Sequence, residues 1–160
     1  MKKSIPIIFL SLFLLNSKPC IISQVTFTDV APLWGMNDPG NGQGAVFLDV
    51  DNDGYLDLFL VNNGQANKLW KNNAGTSFTE VSAAWGLNYS GPGRGVSGAD
   101  FNNDGLVDIM IGNYNSPLKL YKNNTTSFID YTSAAGINIT AWGGSINWFD
   151  YNSDGKIDVM

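Results

Sequence analysis

The chain alternates short apolar segments with turn-forming residues, and the same order of segments returns about every fifty residues. In the first copy the apolar segments are AVFLDV, LDLFLV, KLW and SFTEV, with Asp, Asn and Gly between them. Runs of this length predict about four strands per copy. In LDLFLV, Leu56, Leu58 and Leu60 lie on one side and Phe59 and Val61 on the other, so we expect this strand to be covered on both faces.

The repeat extends over the whole domain, because other residues fall into the same register as the apolar segments. The aligned positions are Phe27, Phe78 and Phe128; Trp34 and Trp85; Gly35, Gly86 and Gly136; Gly44 and Gly95. A period near 50 with four strands per unit predicts an all-β fold of β-propeller blades, each of four antiparallel strands. A flat solenoid is the alternative. The units run approximately over residues 25–76, 77–126 and 127–160.

The number of units is small for a propeller. Residues 24–160 hold about 2.7 units, whereas propellers usually close with 4 to 8 blades. The last copy also ends at IDVM, within the strand that reads LDLFLV and DIMIGN in the earlier copies. We therefore expect a partial propeller from a longer protein, with further copies at the same spacing.

The first 23 residues read as a secretory signal peptide rather than as part of the fold. Lys2 and Lys3 precede an apolar stretch over residues 5–15, and a cleavage site follows near Ser23 and Gln24. We expect the mature chain to be secreted or displayed at the cell surface, with no membrane insertion after cleavage.

A membrane anchor and a lipidation site are the two alternatives to a signal peptide for this segment. A membrane anchor needs about 20 apolar residues, and this run of eleven is interrupted by Pro6. Cys20 is a candidate for lipidation, but Ser17, Lys18 and Pro19 are not the small apolar residues that such processing prefers. The signal peptide remains the prediction.

Composition excludes several functions. Without residues 1–23, six basic residues face fourteen acidic ones, a net charge of −8. Such a chain repels nucleic acid and anionic membranes. It contains no His and, once the signal peptide is removed, no Cys. Ser-His-Asp and Cys-His catalysis, disulfides and His-bound zinc are thereby ruled out, so bound metal is the expected support for its loops.

The acidic residues concentrate in three nine-residue loops, DVDNDGYLD, DFNNDGLVD and DYNSDGKID, which hold ten of the fourteen. Side-chain oxygens at positions 1, 3, 5 and 9 and a backbone carbonyl at position 7 can converge on one hard cation. The candidate ligands are Asp49, Asp51, Asp53, Tyr55 and Asp57 in the first loop, Asp100, Asn102, Asp104, Leu106 and Asp108 in the second, and Asp150, Asn152, Asp154, Lys156 and Asp158 in the third, with the carbonyl at Tyr55, Leu106 and Lys156.

Oxygen-only ligands and a Gly at position 6 of every loop favour Ca²⁺ over Mg²⁺, zinc or copper. An EF-hand is excluded because position 12 is Leu60 or Ile111 and strands flank the loop. An Asx-rich turn without metal is the structural alternative for one such loop, and three complete copies weaken it. Three Ca²⁺ ions would change the net charge from −8 to −2, and the four-Asp first loop is expected to bind most tightly.

The acidic loops, the apolar strand that follows and the segments KLWKNN and KLYKNN resemble FG-GAP (VCBS-type) repeats over residues 25–160, closest to the group of cartilage acidic protein and ASPIC/UnbV proteins. This resemblance implies the seven-bladed propeller of integrin α-subunit heads and calcium in the residues named above. It also implies that calcium lies on the underside of the propeller while partners bind elsewhere. Asn102 and Asn152 replace Asp of the family pattern, which puts full affinity in doubt.

The leading hypothesis is a secreted, calcium-stabilised module that binds an extracellular protein or glycan through loops. The candidate loops are residues 37–43 and 88–94, the latter with the only arginine, Arg94, although plain solvated connections are the alternative. Trp34, Trp70 and Trp85 are better explained as blade core than as sugar platforms.

Two other functions stay open. One is a structural spacer of a larger surface protein, and the other a glycan-active enzyme with catalytic carboxylates beyond residue 160. We expect no enzymatic activity in this segment, because its aspartates are assigned to metal.

Overall fold

Antiparallel strands make up almost all regular structure in residues 26–160, the part of the chain that the computed structural model describes. The predicted signal peptide over residues 1–23, its cleavage site and Cys20 lie outside the described residues. In the described part, no helix has the length and apolarity needed to cross a bilayer.

Two four-stranded sheets carry the repeat. In each, the strands lie side by side in chain order and pair antiparallel, and an acidic loop joins the first strand to the second. The first sheet contains β1 Gly42–Leu48, β2 Asp57–Asn62, β3 Lys68–Asn72 and β4 Phe78–Glu80. The second contains β5 Gly93–Ala99, β6 Asp108–Pro117, β7 Lys119–Asn123 and β8 Phe128–Asp130. These are the blades predicted from the sequence, and among the described residues they do not close into a ring.

The third unit is represented by short strands. β9 Thr140–Trp142 pairs with β6 of the second sheet, and β10 Trp148–Phe149 pairs with β11 Asp158–Val159 across the third acidic loop. One turn of 3-10 helix, Ala31–Trp34, precedes the first sheet and ends at Gly35, whose φ of 81° favours glycine.

The main core lies between the two four-stranded sheets. Residues of both sheets and of the segments that connect their strands form one buried cluster that contains Leu48, Val50, Phe59, Val61, Leu69, Leu87, Ile109, Ile111, Tyr121 and Phe128. Burial of this apolar area holds neighbouring blades together. Trp70 is also buried, while Trp34 and Trp85 pack against Phe78 and Phe128 at the sheet edges, with ring centroids 5.9 and 6.2 Å apart.

The second strand is buried to a different extent in the two blades. In β6, Ile109, Met110 and Ile111 are all buried, as predicted for a strand covered on both faces. In β2, Phe59 is buried but Leu58 is only half-buried. The difference arises because the second sheet has neighbours on both sides, whereas in the described residues the first sheet has a neighbouring sheet on only one.

Glycines allow the first strands of successive units to approach closely. A Cβ at Gly44 would lie 3.0 Å from the carbonyl oxygen of Arg94, and a Cβ at Gly95 would overlap the carbonyl oxygen of Gly144. Gly44 and Gly95 occupy the same position of the sequence repeat, and Ser145 follows Gly144 at that position in the third unit. The repeated glycine therefore marks backbone contacts between blades.

The hydrogen-bonded sheets are offset from the sequence units. β4 pairs with β3, so the first sheet spans Gly42 to Glu80 and ends after residue 76. Phe27, which aligns with Phe78 and Phe128, lies outside any strand and is 94% exposed.

Candidate metal centre

The three acidic loops share one backbone conformation. Position 4 is left-handed in each loop, with φ of 58° at Asn52, 58° at Asn103 and 60° at Ser153. Position 6 has φ of 87° at Gly54, 84° at Gly105 and 81° at Gly155. These values favour Gly, Asn or similar short residues, which is why the repeat retains them. The loops therefore repeat a local structure as well as a composition.

The aspartate at position 1 folds each loop around its own carboxylate. Asp49 accepts hydrogen bonds from the backbone N–H groups of Asp53 at 3.1 Å and Gly54 at 2.9 Å. Asp100 and Asp150 accept the equivalent pairs at 2.8 to 3.1 Å. These bonds fix the orientation of the carboxylate from within the loop.

The aspartate at position 9 ties the loop to the sheet. Asp57 accepts from the N–H of Val50 at 3.0 Å and of Asn72 at 2.7 Å, and it is fully buried. Asp108 makes the same two bonds, to Phe101 and Asn123. Asp158 keeps only the loop bond, to Tyr151 at 2.9 Å. Position 9 is therefore structural as well as a candidate ligand.

The first loop brings three carboxylates to one point. One oxygen each from Asp49, Asp51 and Asp57 lie within 4.8 Å of one another. Oδ1 of Asp51 is buried without a hydrogen-bond donor, so this arrangement includes an unsatisfied acceptor. Three converging carboxylates, one of them with an unpartnered oxygen, fit a hard divalent cation such as Ca²⁺. The residues present therefore fit the predicted metal.

Burial makes an uncompensated charge unfavourable at position 9. Desolvation raises the pKa of Asp57 above its usual range, and it raises the pKa of Asp108 to about 6, against the hydrogen bonds that each carboxylate accepts. A cation beside such a group stabilises its charged form.

Lysines from the third strand of each blade neutralise part of this charge. Nζ of Lys71 lies 2.9 Å from Oδ2 of Asp53 and also contacts Asp51, while Nζ of Lys122 lies 3.3 Å from Asp104. Hydrogen bonds to Asp51 and Asp53 raise the pKa of Lys71, and the bond from Lys71 lowers the pKa of Asp53. The ammonium group acts as an internal counter-ion to the first loop.

The remaining sequence-predicted ligands are engaged within their own loops. The carboxylates at position 5 accept hydrogen bonds from the backbone N–H of position 7, and in the second and third loops the position 3 amide oxygen accepts from the N–H of position 5. At position 5, the carboxylates of Asp53, Asp104 and Asp154 accept from the N–H groups of Tyr55, Leu106 and Lys156 at 2.9 to 3.0 Å. At position 3, the amide oxygens of Asn102 and Asn152 accept from the N–H groups of Asp104 and Asp154 at 2.9 and 3.0 Å. The carbonyl ligands at Tyr55, Leu106 and Lys156 stay predictions.

Sequence reasoning missed the residues that support the loops from the neighbouring strand. Lys71 and Lys122 balance charge, and Asn72 and Asn123 bind loop carbonyl oxygens. The repeated segments KLWKNN and KLYKNN were the available signal, because a polar pair repeated beside an acidic loop indicates contact with it.

The fold and the loops define a protein of repeated four-stranded β units, each with an acidic loop between its first two strands. A family model described as an FG-GAP-like repeat matches residues 49–111 and 100–160. The chain belongs to the FG-GAP-like repeat family.

Proteins similar to this chain include cartilage acidic protein 1 from several vertebrates. Cartilage acidic protein 1 of Xenopus tropicalis is 34% identical over 99 residues, which cover 61% of this chain and 15% of that protein. The protein of that name from Homo sapiens is 36% identical over 94 residues, 58% of this chain and 14% of the relative. The match thus spans about a seventh of each relative's length.

Proposed function

We propose that this chain is part of a secreted, calcium-binding β-propeller module that recognises an extracellular protein or glycan. In this proposal Ca²⁺ stabilises the loops between strands, and the segment has no catalytic role. The observation that carries the proposal is the convergence of Asp49, Asp51 and Asp57 in a loop whose conformation is repeated three times.

The repeated conformation supports one metal per loop. In the first loop, carboxylates would supply the charge that the cation neutralises; in the others, Asn102 and Asn152 would offer a neutral oxygen in place of one carboxylate. Bound Ca²⁺ would offset the repulsion among the acidic side chains and link the first and second strands of each blade. Extracellular modules typically bind calcium at about 10⁻⁴ to 10⁻³ M, and the first loop should bind most tightly.

We assign recognition of the partner to the ends of the blades that lie opposite the acidic loops. The segments over residues 37–43 and 88–94 lead into β1 and β5, whereas the acidic loops leave the far ends of these strands. A partner bound there would not compete with the metal. This separation supports the view that the aspartates stabilise the module rather than contact a partner.

Secretion is supported by the sequence of residues 1–23 and by the names of the relatives, which refer to cartilage and to acidic character. The family match supports the same class of extracellular repeat module.

Calorimetry and thermal unfolding of the full chain test the metal proposal. Chelator-treated protein should take up Ca²⁺ with measurable heat, and its unfolding temperature should rise because the ligand binds the native state. Asp51→Asn should weaken the tightest site. Asp29→Asn is the control, since it removes the same charge from an exposed residue outside the loops. An unfolding temperature unchanged by chelator, with no heat of calcium binding, would contradict the proposal.

A second measurement distinguishes a module that recognises a partner from a structural spacer. The calcium-loaded protein should bind a partner in a screen of extracellular proteins and glycans, and substitutions in residues 88–94 should abolish this binding without changing calcium uptake. Calcium uptake with no binding of any probe would favour the spacer.

A further inference from the structure

A cluster of one cation and two aromatic rings lies between the second and third units, away from the acidic loops. The guanidinium carbon of Arg94, in β5, lies 4.9 Å from the ring centroid of Tyr114, in β6. Tyr114 is paired across the sheet with Trp142 of β9, and their ring centroids are 5.0 Å apart at an interplanar angle of 62°. Together with Gly144 these residues line a cleft of about 160 Å³.

This cluster is not part of the repeat. The bridge between Tyr114 and Trp142 has a counterpart between the first and second units, where Asn63 pairs with Pro92. That counterpart has neither an aromatic ring nor a charge, although the backbone contact is the same. The fold therefore does not require the two rings, and another explanation is needed for them.

The charge of Arg94 is available to a ligand. The side chain is exposed, and among residues 26–160 no carboxylate pairs with it; Lys68 and Lys156 are likewise without an ion pair there, whereas Lys71, Lys119 and Lys122 each form one. Its contact with the Tyr114 ring orients the guanidinium group but does not neutralise it. In a chain this acidic, a cation without a carboxylate partner is a local attraction for anions.

The geometry favours a ring-shaped ligand over an extended peptide. A peptide strand would need free backbone groups, but the N–H of Tyr114 donates to Pro92 at 2.8 Å and the N–H of Gly143 donates to Asn113 at 3.0 Å. The side chains of Arg94 and Trp142 are accessible instead, with Trp142 75% exposed, while Tyr114 between them is half-buried. The cleft is smaller than the roughly 300 to 1,000 Å³ of pockets for drug-sized ligands, so it suits one small ring.

We propose that Arg94, Tyr114 and Trp142 bind a carboxylate-bearing sugar of an acidic glycan. The planar guanidinium group can donate two parallel hydrogen bonds to a carboxylate. The two rings meet at an angle and offer apolar faces to the C–H groups of a sugar, with polar edges for its hydroxyl groups. This inference gives a ligand class to the recognition role proposed above and involves no calcium ligand.

Titration of the calcium-loaded full chain with a glucuronate-containing tetrasaccharide, followed by calorimetry and tryptophan fluorescence, tests the proposal. The same tetrasaccharide with its carboxyl groups reduced to alcohols is the ligand control. The acidic form should bind, and the reduced form should bind about tenfold to a hundredfold more weakly, since it loses the charged hydrogen bonds. Equal binding of the two forms would overturn the role of the carboxylate.

Variants locate the site. Arg94→Gln and Trp142→Ala should each weaken binding of the acidic tetrasaccharide at least about tenfold. Lys119→Gln is the control, because this lysine also lies over a ring, 5.6 Å from the centroid of Tyr89, but is already paired with Asp130 at 2.7 Å. Circular dichroism confirms that each variant is folded. Full binding by Arg94→Gln, or binding of a glutamate-rich peptide in place of the sugar, would overturn the proposal.

Titration of the chelator-treated chain with Ca²⁺ and, in a separate experiment, with the acidic tetrasaccharide separates this site from the calcium proposal. Sugar binding by a chain that takes up no Ca²⁺ would support the site and reject the metal; calcium uptake with no sugar binding would do the reverse.

Discussion

The side-chain amide of Asn123 donates a hydrogen bond to the carbonyl oxygen of Val50, 2.8 Å away and 73 residues earlier in the chain. It also donates to Val107 of its own acidic loop at 3.0 Å, and it is buried. One side chain thus joins two neighbouring acidic loops.

Replacing Asn123 should therefore disturb the contact between blades. Asn123→Ala leaves the buried acceptor at Val50 and the partly buried acceptor at Val107 without this donor, and we expect a loss of about 1–3 kcal/mol in the free energy of unfolding. Asn72→Ala is the control, because the side-chain amide of Asn72 donates only to Leu56 of its own loop, at an exposed site. Urea denaturation of both variants measures the difference. Equal losses would show that the link to Val50 contributes nothing.

Lys71 should compete with calcium for the first loop. Because its ammonium group contacts Asp51 and Asp53, its positive charge opposes an entering cation. Lys71→Gln removes this competitor, and we expect the calcium affinity of the first loop to rise about twofold to tenfold. Calorimetry measures the change, with Lys119→Gln as a control for the loss of one positive charge elsewhere. A lower affinity in Lys71→Gln would mean that the lysine supports the metal site.

The sequence was sufficient to predict the strands and the turns of the acidic loops, because both depend on local residues. Alternation and turn residues define β1 to β3, and the repeated Gly at position 6 matches its left-handed backbone. Local residues do not show which segments become neighbours in space. Phe27 has the same sequence context as Phe78, but it pairs with no strand among the described residues, and a repeat pattern cannot show which sheet a segment joins.

The supporting residues could not be predicted for the same reason. Lys71 is 18 residues from Asp53, and their contact depends on the pairing of β2 with β3. The cluster of Arg94, Tyr114 and Trp142 has no motif of its own. The cluster differs from the repeat because the equivalent bridge between the first and second units joins Asn63 to Pro92, without aromatic rings. That equivalence is visible only in the structure.

The close approach of blades at Gly95 should make this position intolerant of a side chain. A Cβ there would overlap the backbone carbonyl oxygen of Gly144, which cannot move without shifting the next unit. We expect Gly95→Ala to lower the free energy of unfolding by about 1–3 kcal/mol. Gly144→Ala is the control, since the nearest atom to its Cβ, the carbonyl oxygen of Trp142, is 3.9 Å away. Comparable stability of the two variants would contradict the close packing.

Without calcium, we expect Asp57 to contribute to the stability of the first loop and Asp51 to contribute much less. Asp57 accepts hydrogen bonds from the N–H groups of Val50 and Asn72, so Asp57→Asn places an amide group against a backbone donor. In chelator we expect this variant to lose about 1–3 kcal/mol of unfolding free energy. Asp51→Asn should lose much less in chelator, because Oδ1 of Asp51 has no donor to lose and its ion pair with Lys71 is partly exposed.

Urea denaturation in chelator and in millimolar Ca²⁺ separates these roles. With Ca²⁺ present, both variants should gain less stability from the metal than the unmodified chain, since each has lost a candidate ligand. Asp29→Asn controls for the change in net charge. If Asp51→Asn were as unstable as Asp57→Asn in chelator, position 3 would also hold the loop together without metal, and its assignment as a residue for cation binding alone would be wrong.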